Sequence, residues 1–342
     1  MIKRRIICLI STMALVFSGL FTGCNEYQEK SGDRLTIVTT CFPPYDFARA
    51  VTGGDAEIKM LLCPGAEAHS YEPTPLDIAA IQQCDVFIYL GGEGEVWADK
   101  ILSSFDSSDK TIIRLSDYAE LLCEVDIPGA SPNGHNHSHA HSHEEEEADG
   151  DADVHDHDHD HDHSAGESYD EHIWTSPQNA IRCVNGIAET MSTAFPESAD
   201  EYAENAADYT DQLEELDREF AEMAENAPEN VIVIGDKFPF RYLTNDYGLE
   251  YFAAFSGCSS ESEPGVYTMA FLIDEILSHE LDTVFYLEFS TKKLAEKLCD
   301  ATGANMLPLQ SCHNVTEEGF EGGVTYIELM RQNLNNLREA LY

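Results

Sequence analysis

Short apolar runs alternate with amphipathic segments along most of the chain. Residues 35–40, 58–62 and 85–90 are rich in apolar or β-branched side chains, and proline or glycine follows each run. The pattern returns at residues 231–234 and 283–287. Strands that alternate with helices predict βα units and a parallel sheet. In such sheets, ligands bind in the loops at the carboxyl ends of the strands.

A longer helical pattern occupies the middle of the chain. Residues 197–225 carry apolar side chains at helical spacings: Tyr202, Tyr209, Leu213, Leu216 and Phe220. About 29 residues with a rise of 1.5 Å each span roughly 43 Å. The sequence therefore predicts a helix that is long for a globular protein.

The first residues have the pattern of an export signal. A basic start is followed by an apolar run that ends at Cys24. Residues 20–24 resemble a bacterial lipobox, in which Cys24 is lipidated, although Phe21 stands where leucine is usual. The alternative is an uncleaved N-terminal anchor, and both interpretations place the folded part outside the cytoplasm.

Charge and cysteine usage narrow the function classes. The formal net charge is −45, and a surface this negative repels nucleic acid and attracts cations. Eight cysteines remain when Cys8 and Cys24 are set aside, and no C-x-x-C pair is present. A thiolate zinc site is therefore not indicated, while disulfide pairing stays open.

Residues 135–163 contain most of the histidines, interleaved with serine and acidic residues. The ten are His135, His137, His139, His141, His143, His155, His157, His159, His161 and His163. Neutral imidazoles suit zinc, copper and nickel. The alternative is an acidic, solvated insertion with no specific role, but two arrays of alternating histidines favour metal binding by a mobile loop.

Two further motifs each contain one histidine. Residues 64–75 read PGAEAHSYEPTP and include His69, and residues 170–180 read DEHIWTSPQNA and include His172. A single loop histidine is usually a surface or packing residue. Both motifs, however, resemble the ligand motifs of the solute-binding lipoproteins of zinc and manganese ABC importers. The resemblance implies that His69 and His172 bind the metal.

The same resemblance implies ligands in the second half. The family has its third ligand within the segment that corresponds to residues 235–240, where this chain has no histidine. Asp236 lies about one position from that site and is the candidate oxygen ligand. The alternative is that Asp236 caps a turn and that water or Glu288 completes the coordination. His313 takes the place of the carboxylate that the family has after its last strand.

The resemblance also implies an organisation for the whole chain. We expect an α/β fold of two lobes, each with a mostly parallel sheet flanked by helices, joined by a long rigid backbone helix. The expected boundaries are a lipoprotein signal peptide at 1–23, a tether at 24–34, an N-terminal lobe at 35–195 with the histidine-rich loop at 131–168, a linking helix at 196–228 and a C-terminal lobe at 229–342.

The implied function is a monomeric receptor that delivers Zn(II) to the permease of an ABC importer. Mn(II) fits less well, because a site with three histidines is poor in oxygen ligands. A manganese receptor, or a surface buffer or adhesin that uses the histidine-rich loop, remains as an alternative. A zinc hydrolase is disfavoured, because neither H-E-x-x-H nor G-x-S-x-G occurs.

Overall fold

The computed structural model describes residues 34–125, 127–128, 168–257 and 264–342. Within it, Leu35–Tyr342 forms one compact unit. The predicted signal peptide, Cys24, the tether up to residue 33 and the ten histidines of residues 135–163 lie outside the described residues. Across the described ranges, no helix has both the length and the apolarity required to cross a membrane.

The N-terminal lobe is a four-stranded sheet with helices between its strands. Its elements are β1 (Thr36–Thr39), α1 (Phe42–Val51), β2 (Glu57–Met60), α2 (Pro75–Gln83), β3 (Val86–Tyr89), α3 (Val96–Leu102) and β4 (Thr111–Arg114). The strands are all parallel, in the order β2-β1-β3-β4. Every residue of β3 is buried, which explains its continuous apolar run, since helices cover both faces of a parallel sheet.

Two helices follow the N-terminal lobe: α4 (Pro177–Ala194) and α5 (Ala199–Asn226). The α5 helix has 28 residues and is about 42 Å long at 1.5 Å per residue. Its buried positions recur every three or four residues: Tyr202, Ala206, Thr210, Leu213, Leu216, Phe220 and Met223. This face packs against α1, α4 and the C-terminal helix, so the long helix predicted from the sequence is present.

The C-terminal lobe repeats the architecture of the first. Its elements are β5 (Val231–Phe238), α6 (Arg241–Tyr247), β6 (Glu250–Ser256), α7 (Val266–Ser278), β7 (Thr283–Leu287), α8 (Lys293–Thr302), β8 (Asn305–Leu309), α9 (Glu317–Glu321) and α10 (Tyr326–Leu341). The strands are parallel, in the order β6-β5-β7-β8. One core cluster includes Trp174, Phe220 and Tyr326 together with residues of both sheets. The expected two-lobed α/β fold is confirmed.

One strand is longer than the sequence predicted. The apolar run at 231–234 indicated a strand that ends before Asp236, but β5 continues to Phe238. Its register against β6 shifts between Ile234 and Lys237, so Asp236 lies inside an irregular strand. The strand end indicated by the apolar run is therefore wrong. Polar side chains at 236 and 237 border a cavity and interrupt the apolar pattern inside the strand.

Candidate metal centre

Three loops bring histidines together between the lobes. His69 lies between β2 and α2, His172 directly precedes the 3-10 turn before α4, and His313 follows β8. Their ring centroids are 5.4, 5.6 and 6.0 Å apart. One nitrogen from each lies within 4.8 Å of the other two, and among the described residues this is the one such group of three or more metal-ligating side chains.

The three imidazoles fit a zinc-type ion. The Nε2 atom of His172 is buried and has no hydrogen-bond partner within the described part of the chain, and such a nitrogen is costly unless something binds it. Donors in a tetrahedral site with zinc–nitrogen bonds of about 2.0–2.1 Å lie about 3.3 Å apart. The nitrogens therefore need to approach one another by about 1.5 Å at most.

Asp170 fixes the ring of His172. Its Oδ1 atom accepts hydrogen bonds from the backbone N–H and from Nδ1 of His172, both at 2.9 Å. Burial alone lowers the pKa of His172, but the hydrogen bond and the charges of Asp170 and Glu171 raise it above its ordinary value. Because Nδ1–H points to a carboxylate, Nε2 is the nitrogen left to bind a metal.

We expect Asp170→Asn to weaken zinc binding by about 10- to 100-fold, the usual effect of losing the partner of a metal-binding histidine. An amide still accepts a hydrogen bond, but it no longer stabilises the imidazole electrostatically. Competition titration with a chromophoric chelator measures the change. Asp109→Asn, at an exposed turn, is the matched control, and equal affinities for both variants contradict the assigned role of Asp170.

Glu171 contacts His69, another histidine of the group. Its Oε1 atom lies 3.5 Å from Nδ1 of His69, and Oε2 accepts a 2.8 Å hydrogen bond from the backbone N–H of Gly94. Burial opposes ionisation, but the contact with His69 and the charges of His172 and His313 lower the pKa of Glu171. A carboxylate therefore remains beside the three imidazoles and offsets part of the charge of a bound cation.

The loop that carries His313 is tied to the N-terminal lobe. The Nδ2 atom of Asn314 donates to the backbone oxygens of Cys63 and Ala66, both at 2.8 Å. The backbone N–H of Phe42 donates to the oxygen of His313 at 3.2 Å. These hydrogen bonds leave the site largely preassembled, which reduces the ordering cost of binding. Burial and the nearby histidines also lower the pKa of His313, so its ring is neutral at ordinary pH.

Asp236 and Glu288 lie near this group but outside it. Both border a cavity of about 170 Å³ that the three histidines also line. Both oxygens of Glu288 contact Ser311, one at 2.8 Å from its N–H and one at 2.5 Å from its hydroxyl. Asp236 Oδ1 accepts a 2.8 Å hydrogen bond from the N–H of Lys237. The assignment of either carboxylate as a ligand stays a prediction.

A second, smaller cavity of about 30 Å³ is lined by His69 and Glu95, among other residues. The backbone N–H groups of Leu90 and Gly91 donate to Oε2 of Glu95, at 2.7 and 3.1 Å. Burial raises the pKa of Glu95 from its ordinary 4.5 to about 7, against the opposing effect of these hydrogen bonds. Between about pH 4.5 and pH 7, Glu95 is therefore mostly protonated in the folded protein and mostly ionised in the unfolded chain.

The pKa of Glu95 predicts a pH dependence of stability. Because the folded state binds the extra proton, the contribution of Glu95 to the free energy of unfolding falls as pH rises from about 4.5 to about 7. Glu95→Gln keeps the acceptor oxygen without the charge. We expect the variant to match the wild type at pH 5 and to be more stable at pH 8 in urea unfolding. A difference that is independent of pH contradicts this expectation.

Described residues on the two sides of the histidine-rich segment meet close to His172 in the sequence. Cys123 and Tyr169 form an isolated antiparallel bridge, and the N–H of Asp170 donates to the oxygen of Leu122 at 3.0 Å. The chain before the segment and the chain after it are therefore paired three residues before His172.

The seven described cysteines are free thiols: Cys41, Cys63, Cys84, Cys123, Cys183, Cys299 and Cys312.

Comparisons with known proteins extend over nearly the whole chain. A family model described as zinc-uptake complex component A, periplasmic, matches residues 37–340. The zinc-binding lipoprotein AdcA of Streptococcus pneumoniae (strain ATCC BAA-255 / R6) is 30% identical over 338 residues, which cover 98% of this chain and 61% of that protein. The chain thus spans about three fifths of the length of the AdcA relatives that it matches.

Two other matches cover most of both partners. The high-affinity zinc uptake system protein ZnuA of Bacillus subtilis is 28% identical over 313 residues, 92% of this chain and 89% of that protein. The crystal structure of the Zn(II)-bound ZnuA-like domain of Streptococcus pneumoniae AdcA is 28% identical, with a TM-score of 0.69. The match covers 90% of this chain and 99% of that one.

Proposed function

This chain belongs to the family of the periplasmic component A of zinc-uptake complexes, and we propose that it is a receptor that binds one Zn(II) between its two lobes. The convergence of His69, His172 and His313 carries the proposal. Three imidazole nitrogens are a common set of zinc donors. Oxygen-rich sites suit manganese, so this donor set favours zinc over manganese.

The proposed receptor works outside the cytoplasm and passes its zinc to the membrane permease of an ABC importer. The family description as periplasmic supports this location. The lipobox-like sequence that ends at Cys24 supports attachment to the membrane through a lipid on that cysteine. The bound metal is cargo rather than a catalyst, so the receptor needs no substrate other than the ion.

The histidine-rich segment is the proposed accessory device that collects metal for the site. Its arrays must become ordered when they bind, which makes them weaker than a preassembled site. Several weak sites shortly before His172 in the sequence nevertheless raise the local concentration of metal. Their binding weakens as pH falls through about 6.5, because protonated imidazole does not coordinate metal.

Metal analysis and competition titration of the chain with and without residues 135–163 test the receptor function. We expect one tight zinc equivalent in both proteins and several weaker equivalents only when the segment is present. The bridge between Cys123 and Tyr169 is retained in the deletion, so the fold is expected to survive. Loss of the tight equivalent from the deletion variant identifies the segment as the primary site and favours a surface metal buffer.

A further inference from the structure

The cavity beside the three histidines has one ammonium group in its wall. Lys237 is the one lysine or arginine among the described residues that line it. Its side chain is 22% exposed, and Nζ lies 3.4 Å from Oε1 of Glu67. A positive charge at a site for a divalent cation opposes binding by direct repulsion, so its presence requires an explanation.

Residues of both lobes fix the position of the Lys237 ammonium group. Lys237 follows the register shift of β5 in the C-terminal lobe. Glu67 lies two residues before His69 in the N-terminal lobe, and its Oε2 atom accepts a 2.9 Å hydrogen bond from the N–H of Ser70. The Glu67 carboxylate is therefore held by Lys237 from one lobe and by the N–H of Ser70 from its own lobe.

We infer that Lys237 is a tethered cation that competes with the bound metal for Glu67 and so lowers the affinity of the site. While the ammonium pairs with Glu67, that carboxylate is less available to stabilise the metal. The ammonium also adds its own repulsion. A receptor that must hand over its cargo benefits from faster release, so this inference rests on the receptor function proposed above.

The alternative role of Lys237 is a structural brace between the lobes. The two roles predict effects of opposite sign. Removing a brace loosens the preassembled site and weakens metal binding or leaves it unchanged, whereas removing a competing cation strengthens binding and slows release. Glu67→Gln weakens binding under either role, because it both breaks the brace and leaves the ammonium unneutralised, so the sign of the Lys237 effect separates the roles.

The test uses the full chain loaded with one equivalent of zinc, so that the tightest site is occupied first. Release into excess chelator is followed by stopped flow, and affinity is measured by competition titration. We expect Lys237→Met to release zinc at least tenfold more slowly and to bind it at least tenfold more tightly. Lys237→Arg is expected to behave like the wild type, and Glu67→Gln to bind more weakly.

Lys297→Met is the matched control, since Lys297 is exposed on α8 and does not line the cavity. Lys237→Gln repeats the test if the methionine variant does not fold. Unchanged or weaker binding in a folded Lys237 variant, with tight binding in the wild type, overturns the tethered-cation role alone. A wild-type chain that retains no tight zinc equivalent overturns the receptor function and this inference together.

Discussion

Replacing His172 with alanine is expected to weaken zinc binding about a hundredfold, which is about 2.8 kcal/mol at 1.4 kcal/mol per factor of ten. The side chain is fully buried, and its Nε2 atom has no hydrogen-bond partner among the described residues. Alanine removes this donor, and no neighbouring side chain of the three-histidine group replaces it. His69→Ala and His313→Ala are expected to have effects of similar size.

Competition titration of the tight equivalent measures these losses. His279→Ala is the matched control, because His279 lies at the end of α7 and pairs with Glu275 at 3.4 Å. Asp236→Asn and Glu288→Gln belong in the same series. A hundredfold loss in Asp236→Asn supports Asp236 as a ligand, and unchanged affinity in His313→Ala removes His313 from the site.

The largest expected loss of stability follows from Trp174→Ala. Trp174 has no exposed surface, its Nε1–H donates to the oxygen of Ser311 at 2.8 Å, and its ring centroid lies 4.6 Å from that of His313. Truncating a buried tryptophan usually costs about 3–5 kcal/mol, a large share of a typical stability of about 5–15 kcal/mol. We also expect weaker zinc binding, since the hydrogen bond holds the segment next to His313.

Urea unfolding of the metal-free protein measures the stability of the Trp174 variants. Trp174→Phe keeps most of the packing and leaves the Ser311 oxygen unsatisfied, so we expect a smaller loss of about 1–3 kcal/mol. Trp97→Ala, at a half-buried position in the N-terminal lobe, is the control. A loss at Trp174 no greater than that at Trp97 contradicts the role of Trp174 as a tie between the lobes.

The sequence predicted the parts of the structure that depend on local patterns. Parallel βα units, the long α5 helix and the loops of His69 and His172 all follow from periodicity or from motifs of about a dozen residues. The strand β5 was predicted too short because the apolar run stops at Gly235. An added Cβ at Gly235 would lie 2.9 Å from the Cα atom of Ala295, so glycine there permits close packing of β5 on α8. It does not mark the end of the strand.

The residues that sequence reasoning missed act through partners that are distant in the chain. Lys237 pairs with Glu67 across 170 positions, and Asn314 reaches Cys63 across 251. No local pattern encodes such contacts. Asp170 and Glu171 are different, because they directly precede His172 in the motif. Two carboxylates beside a metal-binding histidine are a recognisable signal for groups that orient imidazole rings.

The zinc K-edge X-ray absorption spectrum of the chain without residues 135–163, loaded with one equivalent of zinc, tests the central claim most directly. Coordination by His69, His172 and His313 predicts three imidazole nitrogens at about 2.0–2.1 Å, with one further light ligand at a similar distance. A shell made mainly of oxygen ligands, with fewer than two imidazoles, would contradict the three-histidine site.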